Sequence, residues 1–155
     1  MGVKLTIDAD LQDVLYKMGD EATRVAEKAV KEAGAILYEA LREEINNNAE
    51  LSVKQKTRYL SDMEQEYTTK GAYVFGEVGW LFDNYNATPT PTGVKVLWAE
   101  YGTKQRTTQT GQNRGYLSPA YFVTTARKKS ASKIRKKQEE IINSEFEKII
   151  GAKSG

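Results

Sequence analysis

The sequence predicts an α+β fold in which long N-terminal and C-terminal helices pack against a small, mainly antiparallel sheet of three to four strands. Three observations carry that expectation: apolar residues at three- and four-residue steps from Leu11 to Ile45, a β-branched and aromatic stretch over residues 64–81 punctuated by glycines, and a second helical spacing from Phe122 to Ile149. The chain of 155 residues suits a single domain spanning 1–155, long enough for one core and too short for two independent ones.

Asp8 or Asp10 can cap the first helix, whose apolar positions include Leu11, Leu15, Met18, Val25, Ala29, Ala33, Leu37, Leu41 and Ile45. The spacing predicts one long helix bent near Gly19 and ended by Asn46, Asn47 and Asn48. Its middle is rich in alanine (Ala26, Ala29, Ala33, Ala35), and side chains that small let another backbone approach closely. Ser52 followed three places later by Gln55 has the form of a capping box, so a short second helix carrying Leu51, Tyr59, Leu60 and Met63 follows.

Two antiparallel strands turning near Lys70 and Gly71 account for the stretch after Glu64. Gly76 and Gly79 inside it mark bulges or close backbone approaches. Residues 83–92 hold turn formers and two prolines with little to bury, and read as an exposed loop. Asn86-Ala87-Thr88 within it has the form of a glycosylation triplet, which needs a secretory signal to be used.

Val94, Val96 and Trp98 alternate with Lys95, Leu97 and Ala99, the period of a strand with one buried face. Gly102 then turns the chain, and its place suggests a positive φ that a residue with a Cβ adopts only at a cost. Residues 103–115 form a second exposed loop, because residues 103–114 contain no large apolar side chain and cannot bury themselves. Loops of that length are usually functional or disordered, and this one is expected to become ordered on assembly. Ser118 and Pro119 are expected to open the closing helix, serine as the cap and proline at the first helical position, where its missing donor is not needed. That helix runs about 30 residues, or about 45 Å; its part beyond Gln138 either projects or packs on the first helix, and residues 151–155 are expected as a flexible tail.

Charge and composition exclude several classes of function. With 23 Lys+Arg against 21 Asp+Glu, the net charge of +2 fits neither a nucleic-acid-coating protein nor an acidic tail. Cysteine and histidine are absent, which removes disulfides, thiolate zinc sites, cysteine nucleophiles and every mechanism that needs an imidazole. Glu43 and Glu44 point to different faces of a helix, and Glu64 and Glu66, though on one strand face, have no partner nucleophile nearby. The glycines around Gly71 and Gly111 lack the lysine and hydroxyl of a phosphate loop. The expectation is a protein with no enzymatic activity, cofactor, metal or small-molecule substrate. No segment approaches the roughly 18 apolar residues of a membrane span, and the start of the chain has no signal-like apolar run. A soluble protein made in a cytoplasm follows.

Arg127, Lys128, Lys129, Lys133, Arg135, Lys136 and Lys137 crowd the first half of the closing helix, with Glu139, Glu140, Glu145 and Glu147 after them. This order opposes the helix dipole. Either the cations form a solvated face, or they meet phosphates or an acidic rim on a neighbouring subunit. Lys104, Arg106 and Arg114 pose the same question in the exposed loop, which lacks the aromatics that stack single-stranded bases.

The layout resembles that of the head-tail joining, or tail-completion, proteins of long-tailed bacteriophages and prophages. A long N-terminal helix precedes a β-rich middle that ends in Trp98-Ala99-Glu100-Tyr101-Gly102-Thr103, and Tyr116-Leu117-Ser118-Pro119-Ala120 opens the final helix. In that family an aromatic-alanine pair runs into a glutamate-aromatic-glycine-threonine turn, and an aromatic-leucine-x-proline-alanine segment follows a variable loop. One departure is Thr57-Arg58-Tyr59-Leu60, with Arg58 where the family usually has glycine. The resemblance implies a non-enzymatic virion protein of the neck or tail top, made in the host bacterial cytoplasm. It would form a hexameric ring around passing DNA and contact other head-tail connector, tail-tube or tail-terminator proteins. On that reading Glu100, Tyr101, Gly102 and Thr103 set the root of an assembly loop, and Lys104, Gln105, Arg106 and Arg114 supply contacts. The basic half of the last helix then faces DNA or a neighbour's acidic edge. The alternative from the residues alone is a small nucleic-acid-binding or regulatory module using the cations at 127–137.

Overall fold

The computed structural model describes every residue except Gly71, Ala72, Asp83, Tyr85, Arg106, Arg114 and Gly155, together with the backbone alone at residues 152–154. In chain order the elements are β1 (Gly2–Leu5), α1 (Ala9–Tyr16), a 3-10 turn (Gly19–Glu21), α2 (Ala22–Asn47), α3 (Val53–Ser61), β2 (Glu64–Lys70), β3 (Tyr73–Gly79), α4 (Thr92–Tyr101) and α5 (Phe122–Ser154). The fold is α+β, with a three-stranded antiparallel sheet in the order β1-β3-β2.

Local chemistry sets several boundaries. Gly19 adopts φ +60° and separates α1 from α2 where the bend was expected. Ser52 starts α3 with a complete capping box: its Oγ accepts from Gln55 N–H at 3.2 Å and the Gln55 side chain accepts from Ser52 N–H at 2.8 Å. Asp8 flanks α1 but makes no side-chain cap, because its carboxylate is taken by Arg135.

The hairpin pairs Glu64 with Gly79 through to Lys70 with Tyr73, without a skipped residue. The interior glycines therefore mark close approaches and not bulges. A Cβ on Gly76 would sit 2.9 Å from Val30 Cγ1, so the missing side chain lets the sheet lie against α2. The expected turn at Gly71 falls outside the described residues. Strand β1 was not anticipated; its four residues hold their place because Met1 and Trp80 exchange backbone hydrogen bonds, each 2.6 Å.

Helix α2 is the spine of two apolar clusters. Its Ala33, Leu37, Leu41 and Ile45 meet Val3, Val78, Trp80, Val96 and Phe122 in one. Val25, Ala29 and Val30 meet Leu11, Leu15, Ile141 and Ile142 in the other. Helix α5 does not project beyond Gln138: Ile141 and Ile142 are buried against α1 and α2. It also continues through Ser154, into the segment expected as a tail.

The charge order of α5 has a tertiary cause. Lys129 near its start pairs with Glu44 near the end of α2 at 2.6 Å, while Glu145 near its end accepts from Arg24 and Lys28 near the start of α2, each at 3.2 Å. The two helices run antiparallel with opposite charge gradients, so pairing across the interface outweighs the modest dipole term. Hydrogen bonds from Lys28 and Arg24 hold the Glu145 carboxyl below its ordinary value of 4.5. A depressed folded-state pKa gives stability that is present above the ordinary value and lost as pH falls through the folded one. Glu145→Gln is expected to flatten the acid side of the stability curve, read by denaturant titrations from neutral into acidic buffer.

The stretch expected as a central strand is the helix α4. Its buried residues are Thr92, Gly93, Val94, Val96, Ala99 and Glu100, which includes the three- and four-residue steps of a helix. Trp98, assigned to the buried face of a strand, is exposed instead, and Ala99 is buried. A short apolar run cannot be separated from a helix by period alone.

Candidate functional site

The most distinctive arrangement lies where α4 ends and α5 begins. The last carbonyls of a helix lack partners within it, and here those of Ala99 and Glu100 accept from the N–H groups of Ala120 (2.9 Å) and Tyr121 (3.2 Å). In return the Glu100 carboxylate accepts from Val123 N–H (2.8 Å), Thr124 N–H (2.7 Å) and the Thr124 hydroxyl (2.5 Å), filling two of the open backbone donors of the first turn of α5. The Glu100 side chain thus caps α5, while the two residues just before α5 satisfy the end of α4.

This clasp corrects one expectation. Ser118 and Pro119 do not begin the closing helix; Phe122 does, after Tyr121 at φ +50°, because the cap comes from Glu100 and not from the local serine. Glu100 itself is fully buried, so its carboxylate acts inside the root and not at an exposed contact.

Gly102 has φ +78°, as its place suggested, and a Cβ there would lie 2.7 Å from Leu117 O and 3.0 Å from Pro119 Cδ. Thr103 closes the base: its N–H donates to Leu117 O at 3.0 Å and its hydroxyl accepts from Leu117 N–H at 2.9 Å. Beyond that base the chain forms an arm. Thr107 and Asn113 make an antiparallel bridge, Thr108 N–H donates to Gln112 O at 2.8 Å, and Gly111 N–H donates to Thr108 O at 2.9 Å. Lys104, Gln105, Thr107 and residues 109–113 are exposed. Arg106 and Arg114 lie outside the described residues.

Four exposed aromatics flank the root. Trp98 and Tyr101 are one turn apart on α4, Tyr121 is bonded to Glu100 through its backbone, and Tyr116 precedes the Leu117 of the base. Tyr101, Tyr116 and Tyr121 are each at least half exposed, at 54%, 69% and 50%. Exposed aromatic side chains grouped beside a polar loop are typical of interaction surfaces. The sequence places Tyr101 at the root and carries Trp98 and Tyr116 in the family-like segments, but it does not show that all four, Tyr121 included, are exposed beside the loop.

The seven cations of α5 are not brought together. Lys129, Lys133 and Lys137 line a groove of about 490 Å³ opposite Glu32, Glu39, Glu43 and Glu44 of α2. Arg135 binds Asp10 through two bonds of 2.5 and 2.9 Å and also reaches Asp8, which raises its already high pKa. Arg127 and Arg135 border a second groove beside β1, and Lys128 and Lys136 remain exposed on the outside. Among the described residues no group of three or more acidic side chains could hold a metal ion, and no helix is long and apolar enough to cross a membrane.

In comparison with known proteins, the chain matches no family model, no curated protein and no solved structure.

Proposed function

We propose that this protein is a non-enzymatic structural component of a phage virion, placed in the neck or at the top of the tail. There it joins head to tail as one subunit of a ring around the DNA channel. One observation carries the reading: a polar arm is held out from a buried, hydrogen-bonded root, with exposed aromatics beside it. A subunit that grips a neighbour needs a rigid base, so that little ordering entropy is spent at the root, and a contact element with no competing role in its own core. The resemblance of the Trp98–Thr103 and Tyr116–Ala120 segments to tail-completion proteins gives the arm its setting.

The dispersal of the α5 cations argues against a duplex-binding module. Such a module gathers its cations on one surface to displace counterions, whereas Lys129 and Arg135 here are committed to carboxylates of the same chain.

Deleting residues 105–113 tests the proposal. The deletion is expected to leave the thermal transition within a few degrees of the parent, since the arm buries little, while abolishing complementation of assembly-deficient particles. Retained infectivity would overturn the assignment of the arm.

A further inference from the structure

The sheet has two edge strands, β1 and β2, and β2 is the longer. Beside the four-residue β1 lies a groove lined also by α5, whose Gln138 Nε2 donates to Thr6 O just past the strand at 3.2 Å. Strand β2 pairs only with β3, and every residue of it except Thr68 is exposed. Its seven residues, unbroken by a bulge, leave a row of backbone donors and acceptors free.

That edge is also acidic. Glu66 lies directly opposite Glu77 of β3, a like-charge pair that is unfavourable across antiparallel strands, and Glu64 shares their face. Lys4 lies on the far side of Glu77, yet none of these three carboxylates has an ion pair among the described residues. The arm has the opposite character. From residue 103 to 121 the sequence holds Lys104, Arg106 and Arg114 and no carboxylate. Its Thr107–Asn113 bridge shows that the arm's backbone can pair in antiparallel fashion. Among the described residues no hydrogen bond or ion pair joins arm and β2 within the chain.

We infer that the arm of one copy docks along the free edge of β2 of a second copy, extending its sheet, with the arm's cations over Glu64, Glu66 and Glu77. Main-chain pairing supplies affinity in such strand addition, and the charges set the register. Each copy carries one arm and one edge at different places, so the contact is head-to-tail and propagates until a ring closes. The inference rests on the ring reading and names the surface that receives the arm.

The absence of cysteine makes the test clean. Gln105→Cys places a thiol on the arm and Lys70→Cys one at an exposed position of the edge, on the face of Glu64 and Glu66. Concentrated chains carrying both are expected to give, on mild oxidation, a ladder of disulfide-linked species beyond the dimer, whereas either single variant stops at dimer. Adding Glu66→Lys should cut the ladder roughly tenfold, with Lys104→Glu in the same chain restoring part of it. No ladder from a chain whose sedimentation mass exceeds the monomer overturns the arm-to-edge contact and leaves the ring reading standing. No ladder from a chain that stays monomeric, and that also fails to enter particles, overturns both.

Discussion

Glu100→Ala is expected to destabilise the fold by about 3 kcal/mol, although Glu100 is a charged residue that lies beside an exposed loop. The substitution strips the cap from α5, leaving the N–H groups of Val123 and Thr124 and the Thr124 hydroxyl without an acceptor at a buried position. Hydrogen bonds to a charged group contribute about 1.5–3 kcal/mol each in isolation, but the three share one carboxylate and do not add fully. Glu100→Gln keeps one acceptor oxygen and loses the charge, so about half the effect should remain. Urea titrations of the three proteins check this. A change below about 1 kcal/mol for the alanine variant would mean that the clasp is not what fixes the arm's root.

Phe122→Ala should cost about 4 kcal/mol, and lower the midpoint of thermal unfolding on the order of 10 °C. Phe122 is fully buried, stacks on Tyr59 with ring centroids 6.0 Å apart, and meets the edge of Trp80 at 6.2 Å. Trp80 is fixed in turn by its indole N–H, which donates to Tyr59 O at 2.8 Å. Phe122 is also the first residue of α5, so one ring pins the helix start to the core while Glu100 caps it. The cavity left by alanine lies between a strand end, α3 and α5, three elements that cannot all close inward. Phe122→Leu should recover most of the loss, and calorimetry distinguishes the two. An alanine variant melting within about 3 °C of the parent would contradict the packing described.

Features that depend on neighbouring residues were legible in the sequence. The Ser52–Gln55 box, the bend at Gly19, the β2–β3 hairpin and the positive φ of Gly102 each follow from local chemistry. The exposed arm was legible too, because a stretch without large apolar residues has nothing to bury. What was misread depends on distant partners. The start of α5 is decided by a carboxylate more than twenty residues earlier, so a serine-proline pair that suits a helix start is overruled. Residues 92–101 could satisfy either period over so short a run, and α4 wins because Val96 and Ala99 fit the cluster around Trp80 and Phe122. The inverted charges of α5 left a solvated face and a contact surface both open, because the carboxylates that pair with Lys129 and Arg135 lie on α2 and α1, out of sight of a linear reading. Strand β1 is too short to show a period and exists through its pairing with β3.

Hydrogen exchange of the arm in the free chain and in assembled particles tests the central claim most directly. The root amides of Val123 and Thr124 should be protected in both states, and the exposed amides of residues 104–113 should exchange quickly in the free chain and slowly once assembled. Arm amides that exchange equally fast in the particle would show that nothing grips the arm, and would contradict the account.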